Sequence, residues 1–368
     1  MRTTKTKLLA LLAALLMIAA ACGSDDSSGP GDGVEVTMAR ADWSTGYFQA
    51  YVYEALLEEL GYVVSDPADL ELGPSLAYLS MAQGDFDFWV NSWYPGHLSW
   101  HEAEMPDGSL VGDSVTIVGE EMIAGGLQGF LVTKSFADEY GITTLDQLNS
   151  DPEILAAFDA SDPVPGNGVA DIYGCQESWT CDNIILAQIE FSGWENIAQT
   201  IAGYDAMMAE AVAKADAGEP MVIYTWTPSA YITNLIPGEN VVWLAMDDVL
   251  DDSNPTGEEG GEGWDQRPGT ASIGPDECPA AADAGTCQLG WVAADIQVTA
   301  NSDWLAENPA AEALFAEVKL PVIDVSLANV EQDGGADTNE AIQGLAADWI
   351  AENRELVDGW LETARAAS

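Results

Sequence analysis

The sequence predicts an α/β fold of parallel strands joined by helices, and three observations carry that expectation. The first is a strand–helix–strand unit at the start of the folded part. Val34 to Ala39 alternates with β character; Ser44 or Thr45 can cap a helix with Phe48, Tyr51, Val52, Ala55, Leu56 and Leu60 on its apolar face; Gly61 ends it and Tyr62-Val63-Val64 opens the next strand. The second is recurrence: Ala77 to Met81 reads as helix, Gly84 as a stop and Phe86 to Val90 as a strand, and later a long helix over Asn196 to Ala217 leads through Gly218 to the strand Met221 to Tyr224. Alternating strands and helices of this kind build a layered sheet covered by helices. The third is length, since roughly 345 residues beyond the leader are enough for two domains.

The remaining elements follow in order. Asn308-Pro309 places a cap and then a first-turn proline, which starts a helix running towards Lys319. From about Thr338 two helices carry Trp349 and Trp360 on their apolar faces. Segment 248–290 is rich in Asp, Glu, Gly and Pro and reads as a surface insertion. Asp252, Asn254 and Gly257 echo a calcium loop, but Pro255 intrudes and the twelfth position is Gly263, so a solvated loop is the expectation.

The N-terminus is an address. Arg2, Lys5 and Lys7 precede an apolar run from Leu8 to Ala21, and Ala19-Ala20-Ala21 then leads into Cys22. That layout predicts a secretory signal peptide over 1–21. The run is short of the ~20 residues that a spanning helix needs. A cysteine at the cleavage point resembles a bacterial lipobox, with Cys22 lipidated and 22–33 serving as a flexible tether. The expected location is extracytoplasmic, in the periplasm or on the outer face of the cytoplasmic membrane, lipid-anchored at Cys22.

Charge and cysteines narrow the class. The chain carries 62 acidic against 10 basic residues, a formal net charge of −52. Such a surface repels nucleic acid and favours cations; a solvated acidic surface suited to salty habitats accounts for most of the carboxylates. Beyond Cys22 the cysteines are Cys175, Cys181, Cys278 and Cys287. Close pairs in an exported chain read as disulfides 175–181 and 278–287, with a zinc site as the weaker alternative.

Two strand ends echo one another: Phe86 to Val90 leads into Asn91-Ser92-Trp93-Tyr94-Pro95, and Met221 to Tyr224 into Thr225-Trp226-Thr227-Pro228. Ligands of open α/β sheets bind beyond the carboxyl ends of strands, and proline stiffens the turn that presents each indole. Trp179 lies inside the small ring that a Cys175–Cys181 disulfide closes. Most of the 13 tryptophans are packing residues, Trp243, Trp304, Trp349 and Trp360 among them. Three indoles at strand ends and a disulfide loop can instead form a box for a quaternary ammonium, which has no hydrogen-bond donor and is held by ring faces. A zwitterion's carboxylate then needs backbone N–H groups with His97, or Arg40, because basic residues are scarce. His97 and His101 have i,i+4 spacing, but no third metal ligand is implied.

The runs ALLEELGY, YLSMAQGDFDF, NSWYPGH, ADIYGCQESWTC, YDAMMAE, YTWTPSAY, NVVWLAM and ENPAAEALF span nearly the whole mature chain. In their order and content they resemble the substrate-binding proteins of glycine betaine/proline betaine ABC importers. The resemblance implies a type II periplasmic-binding fold: two α/β lobes joined by a hinge, lobe 1 formed by 34–125 and 296–368 and lobe 2 by 126–295, with the 248–290 insertion in lobe 2. It implies cage residues at Trp93, Trp179 and Trp226, a carboxylate grip from His97 and the backbone N–H groups of Thr180 and Cys181, and partnership with an ABC permease and its ATPase in osmoprotection. Gln176-Glu177-Ser178 and Thr180 stand where related proteins carry smaller or glycine residues. Choline or carnitine are alternative ligands. A secreted hydrolase is the rival reading, against which no GxSxG or HExxH pattern is present; no enzyme activity, cofactor or metal is expected.

Overall fold

The computed structural model describes residues 29–247, 270–271 and 273–368. The signal segment, Cys22, the first part of the tether, and Asp252 to Gly263 lie outside the described residues. In chain order, β1 (Met38–Ala41), β2 (Glu71–Leu72), β3 (Phe88–Tyr94) and β4 (Val115–Gly126) belong to one five-stranded sheet. β5 (Gln128–Thr133), β6 (Ala170–Tyr173), β7 (Ile197–Thr200), β8 (Val222–Trp226) and β9 (Val241–Leu244) form a second, and β10 (Ala294–Asn301) returns to the first.

The sheets share one plan. The first runs β2-β1-β3-β10-β4 and the second β7-β6-β8-β5-β9. In each, three parallel strands are followed by an inserted antiparallel strand and then a fourth parallel to the first three. The inserted strand is always the one that has just crossed from the other sheet: β5 follows β4 after Leu127 alone, and β10 returns from the second half. The sheets are therefore mixed where the sequence predicts parallel pairing, because a chain crossing between two sheets enters the second from the opposite end.

The helices match their sequence signals with local shifts. α1 (Tyr47–Glu59) begins after a 3-10 turn at Ser44–Gly46, without the expected side-chain cap. α2 (Pro74–Ala82) starts on its proline. α3 (Thr180–Phe191) follows the first disulfide loop. The long helix expected over Asn196 to Ala217 is instead the edge strand β7 followed by α4 (Tyr204–Ala217): Ile197 to Thr200 pair in register with Ala170 to Tyr173, and Gly203 separates the two elements. α5 (Pro309–Glu317), α6 (Asn339–Glu352), capped by the Thr338 hydroxyl, and α7 (Arg354–Ala366) complete the first half. Trp349 and Trp360 are buried there with stacked rings, and Trp243 is buried in the second core.

Two further segments differ from expectation. The end of the tether, Gly29 to Gly33, is folded onto the end of α1, where Gly31 N–H donates to Leu60 O at 3.0 Å. A Cβ at Gly31 would fall on the Tyr62 ring, so the close approach needs glycine. The last part of the acidic segment is core and not surface: Ala271, Cys278, Ala281, Cys287 and Leu289 are buried in the second half. Both expected disulfides are formed, with Cα–Cα distances of 5.9 Å for Cys175–Cys181 and 6.1 Å for Cys278–Cys287.

Candidate functional site: an indole-lined cleft

The C-terminal ends of β3 and β8 face each other across the gap between the sheets. Trp93 and Trp226 sit on these ends, and both prolines that follow (Pro95 and Pro228) are preceded by cis peptide bonds. One cavity is lined by Trp93, Trp179, Trp226, His97, Thr180 and Cys181, so the structure brings together all six residues singled out for binding. Its wall also includes Pro74, Gly96, Gln128, Ile184 and Tyr224.

Trp43, which no sequence motif marks, lines the same cavity. Its ring meets Trp179 edge-on at 5.5 Å, and Trp179 in turn meets Trp226 at 5.7 Å and 82°. Tyr204, at the start of α4, backs Trp226 at 4.6 Å and Trp179 at 5.6 Å. Trp43 lies in the turn after β1, where no proline or cysteine marks it. Only its placement at the carboxyl end of a strand could have drawn attention to it.

Each indole is pinned through its N–H. Trp179 Nε1 donates to Asp42 Oδ1 at 2.8 Å and Trp226 Nε1 to Thr45 Oγ1 at 3.2 Å. Trp100, on the helical turn after β3, donates to Thr180 Oγ1 at 2.8 Å. All three bonds cross the gap between the two halves, so the described conformation is closed around the cavity. Burial lifts the Asp42 carboxyl above the usual carboxylate range, partly offset by the Trp179 hydrogen bond, with Glu71 raising it further. Trp93 is seated against β4: a Cβ at Gly126 would stand 2.6 Å from its Cζ3.

The polar end of the cavity is the start of α3. Thr180 and Cys181 are its first two residues, and the first N–H groups of a helix have no intrahelical acceptor and favour an anion. The disulfide ties this turn to Cys175 at the end of β6. His97 is buried, with its ring stacked parallel to Trp89 at 5.7 Å. Its Nδ1 accepts from the Trp93 backbone N–H at 3.1 Å and lies 3.1 Å from the Tyr78 hydroxyl. Burial, with a contribution from His101, pushes its pKa down to about 3. The imidazole is therefore neutral, and a neutral ring that accepts at Nδ1 carries its proton on Nε2.

Arg40 does not take part. Its guanidinium pairs with Glu71 at 2.8 Å, bonds Asn339 and lies 3.7 Å over the Tyr47 ring, away from the cavity lining. Among the described residues, no third His, Cys, Asp or Glu joins His97 and His101 in a group that could hold a metal ion, and His101 Nε2 lies 3.0 Å from the Tyr94 hydroxyl. Among the described residues, no helix is long and apolar enough to cross a membrane.

Similarity to known proteins gives the family and the fold. A family described as the substrate binding domain of ABC-type glycine betaine transport systems matches residues 34–352. The chain is 31% identical over 340 residues to the glycine betaine-binding periplasmic protein OusX of Dickeya dadantii, and 31% identical over 339 residues to the glycine betaine/proline betaine-binding periplasmic protein of Escherichia coli; 92% of each chain is covered in both cases. Among solved structures, the glycine betaine/L-proline-binding protein of Borrelia burgdorferi has a TM-score of 0.63 at 13% identity, covering 90% of this chain and 99% of that one. Lactococcal OpuAC, closed on glycine betaine, has a TM-score of 0.60 at 16% identity, covering 89% and 99%. These likenesses show the two-lobed α/β fold of type II periplasmic binding proteins, and the relatives are transport binding proteins and not enzymes. With the family matched across most of its length, the chain belongs to the substrate-binding proteins of ABC-type glycine betaine transport systems.

Proposed function

We propose that this protein, lipid-anchored at Cys22 outside the cytoplasmic membrane, closes on glycine betaine or proline betaine and presents it to a permease and its ATPase for osmoprotection, catalysing no reaction itself. Lobe 1 is formed by 34–125 and 296–368, and lobe 2 by 126–295. The observation that carries the reading is the meeting of Trp43 and Trp93 from the first half with Trp179 and Trp226 from the second, around a cavity that ends on α3. The ring faces take the methylated nitrogen, each contributing about 0.5–2 kcal/mol. The Asp42 carboxylate that accepts from Trp179 draws electron density onto that ring and strengthens its hold on a cation. The ligand carboxylate is taken by the Thr180 and Cys181 N–H groups and by the neutral His97 Nε2–H, so an anion is held with no Lys or Arg among the described lining residues. Closure follows from differential affinity, because only the closed form offers walls from both lobes.

Calorimetry on Trp93→Ala, Trp179→Ala and Trp226→Ala tests this, with glycine betaine, proline betaine, choline and carnitine in competition. Each substitution is expected to weaken glycine betaine by about tenfold, and choline, lacking the carboxylate, to compete poorly. Unchanged betaine affinity in all three variants would refute the cage.

A further inference from the structure

Beneath the cavity, two of its four indoles share one hydrogen-bond acceptor. Trp43 Nε1 and Trp93 Nε1 both donate to Asn91 Oδ1, at 2.9 and 2.8 Å. Asn91 Nδ2 donates onward to Gln49 Oε1 at 2.6 Å, and Gln49 Nε2 to Glu121 Oε1 at 2.6 Å. Asn91 and Gln49 are each 1% exposed and Glu121 is 3% exposed, so the chain runs through the interior. Each link sets the direction of the next. With Glu121 accepting, Gln49 must present its oxygen to Asn91, and Asn91 must present its own oxygen to the indoles. A carbonyl oxygen has two lone pairs and can serve two N–H donors, and an amide does this uncharged while still donating.

The backbone explains how Asn91 reaches both rings. Ser92 pairs with Gln297 and Trp89 with Thr299, so Val90 and Asn91 together stand opposite Val298. A bulge of this kind re-aims the side chains that follow it.

We propose that Asn91 is a positioning residue for ligand binding, a single amide oxygen that holds the Trp43 and Trp93 rings at a fixed angle to one another as walls of the cleft. The inference rests on the cage reading above. An indole held by packing alone can tilt about its ring bond, whereas one anchored at Nε1 cannot turn without breaking the bond. Attraction of a cation to a ring depends on the face being presented. Losing the shared acceptor therefore releases two walls together and leaves two N–H groups unpaired. Gln49 acts one step behind, preventing an amide flip that would set the Asn91 NH2 against both indoles.

The test uses the mature protein with Asn91→Leu, close in size but without an acceptor, and Gln49→Leu, which keeps the Asn91 oxygen. Affinities for glycine betaine and proline betaine are measured by calorimetry, and the indole N–H proton resonances by NMR. Asn91→Leu is expected to weaken both ligands by the same factor, about tenfold, and to shift the Trp43 and Trp93 N–H resonances together while those of Trp349 and Trp360 stay in place. Gln49→Leu is expected to give a smaller loss and smaller shifts of the same two signals, and it carries the test if Asn91→Leu does not fold. Unchanged affinity, or movement of only one of the two resonances, overturns the inference. Trp93→Ala, Trp179→Ala and Trp226→Ala separate the layers: if all three too leave affinity unchanged, the cage reading fails, and if they weaken binding while Asn91→Leu does not, only the positioning role of Asn91 fails.

Discussion

Replacing Glu121 with glutamine should stabilise the protein above neutral pH and leave it nearly unchanged in mild acid. The carboxyl sits on β4 and accepts from Gln49 through Oε1, and among the described residues no donor meets hydrogen-bond geometry at Oε2. Burial raises its pKa from an ordinary 4.5 to about 7, a rise only partly offset by Gln49, the neighbouring Tyr53 and Lys319. The folded state thus favours the protonated form. Stability from this group is fully present below the unfolded value and is lost as pH rises through the folded one. A displacement of that size corresponds to about 3 kcal/mol, as an order of magnitude. Glu121→Gln keeps an acceptor for Gln49 and removes the ionisation. Urea unfolding of both proteins, at about pH 4.5 and about pH 8, should give similar stabilities in acid and a variant more stable by up to about 3 kcal/mol in base. Glu54, also raised to about 7 by burial, slopes the same way in both proteins and cancels in the difference. Parallel stability curves for wild type and variant across that window would refute the burial argument.

Gly126→Ala places a methyl where the Trp93 ring lies, 2.6 Å from Cζ3. The ring should be displaced and glycine betaine affinity should fall by about tenfold or more, since a cage wall is lost, with far-UV circular dichroism unchanged; wild-type affinity would show that the ring has room to move. Replacing Cys175 and Cys181 together by serine opens the loop that anchors α3. Stability should drop by about 2 kcal/mol on the chain-entropy argument, and betaine affinity should fall with it, because the N–H groups of Thr180 and Cys181 lose their tether. Urea unfolding and calorimetry on the same sample check both effects, and intact affinity in the destabilised variant would mean that α3 holds its place without the bond.

The legible parts of this protein were those whose signal is local. A strand followed by Trp-x-Pro, a cysteine pair around Trp179, a proline-led helix at Asn308 and the apolar faces bearing Trp349 and Trp360 are each written within a few residues, and each could be read before any contact was known. The expected helix over Asn196 to Ala217 failed for a related reason. A four-residue edge strand at Ile197 to Thr200 has no pattern of its own strong enough to separate it from the helix that follows, and only pairing with β6 decides it.

What required the tertiary structure are the contacts between residues far apart in sequence. The sequence alone determined the residue types from which a cage could be built, the scarcity of cations to hold an anion, and the covalent loop around Trp179. It could not place Trp43, which has no marker in its turn, nor pair Trp179 with Asp42 or Trp226 with Thr45 over separations of 137 and 181 residues. The antiparallel crossing strands and the shared Asn91 oxygen belong to the same class. Hydrogen-bond geometry between distant segments depends on where two independently formed sheets come to rest against each other, and no window of sequence contains both.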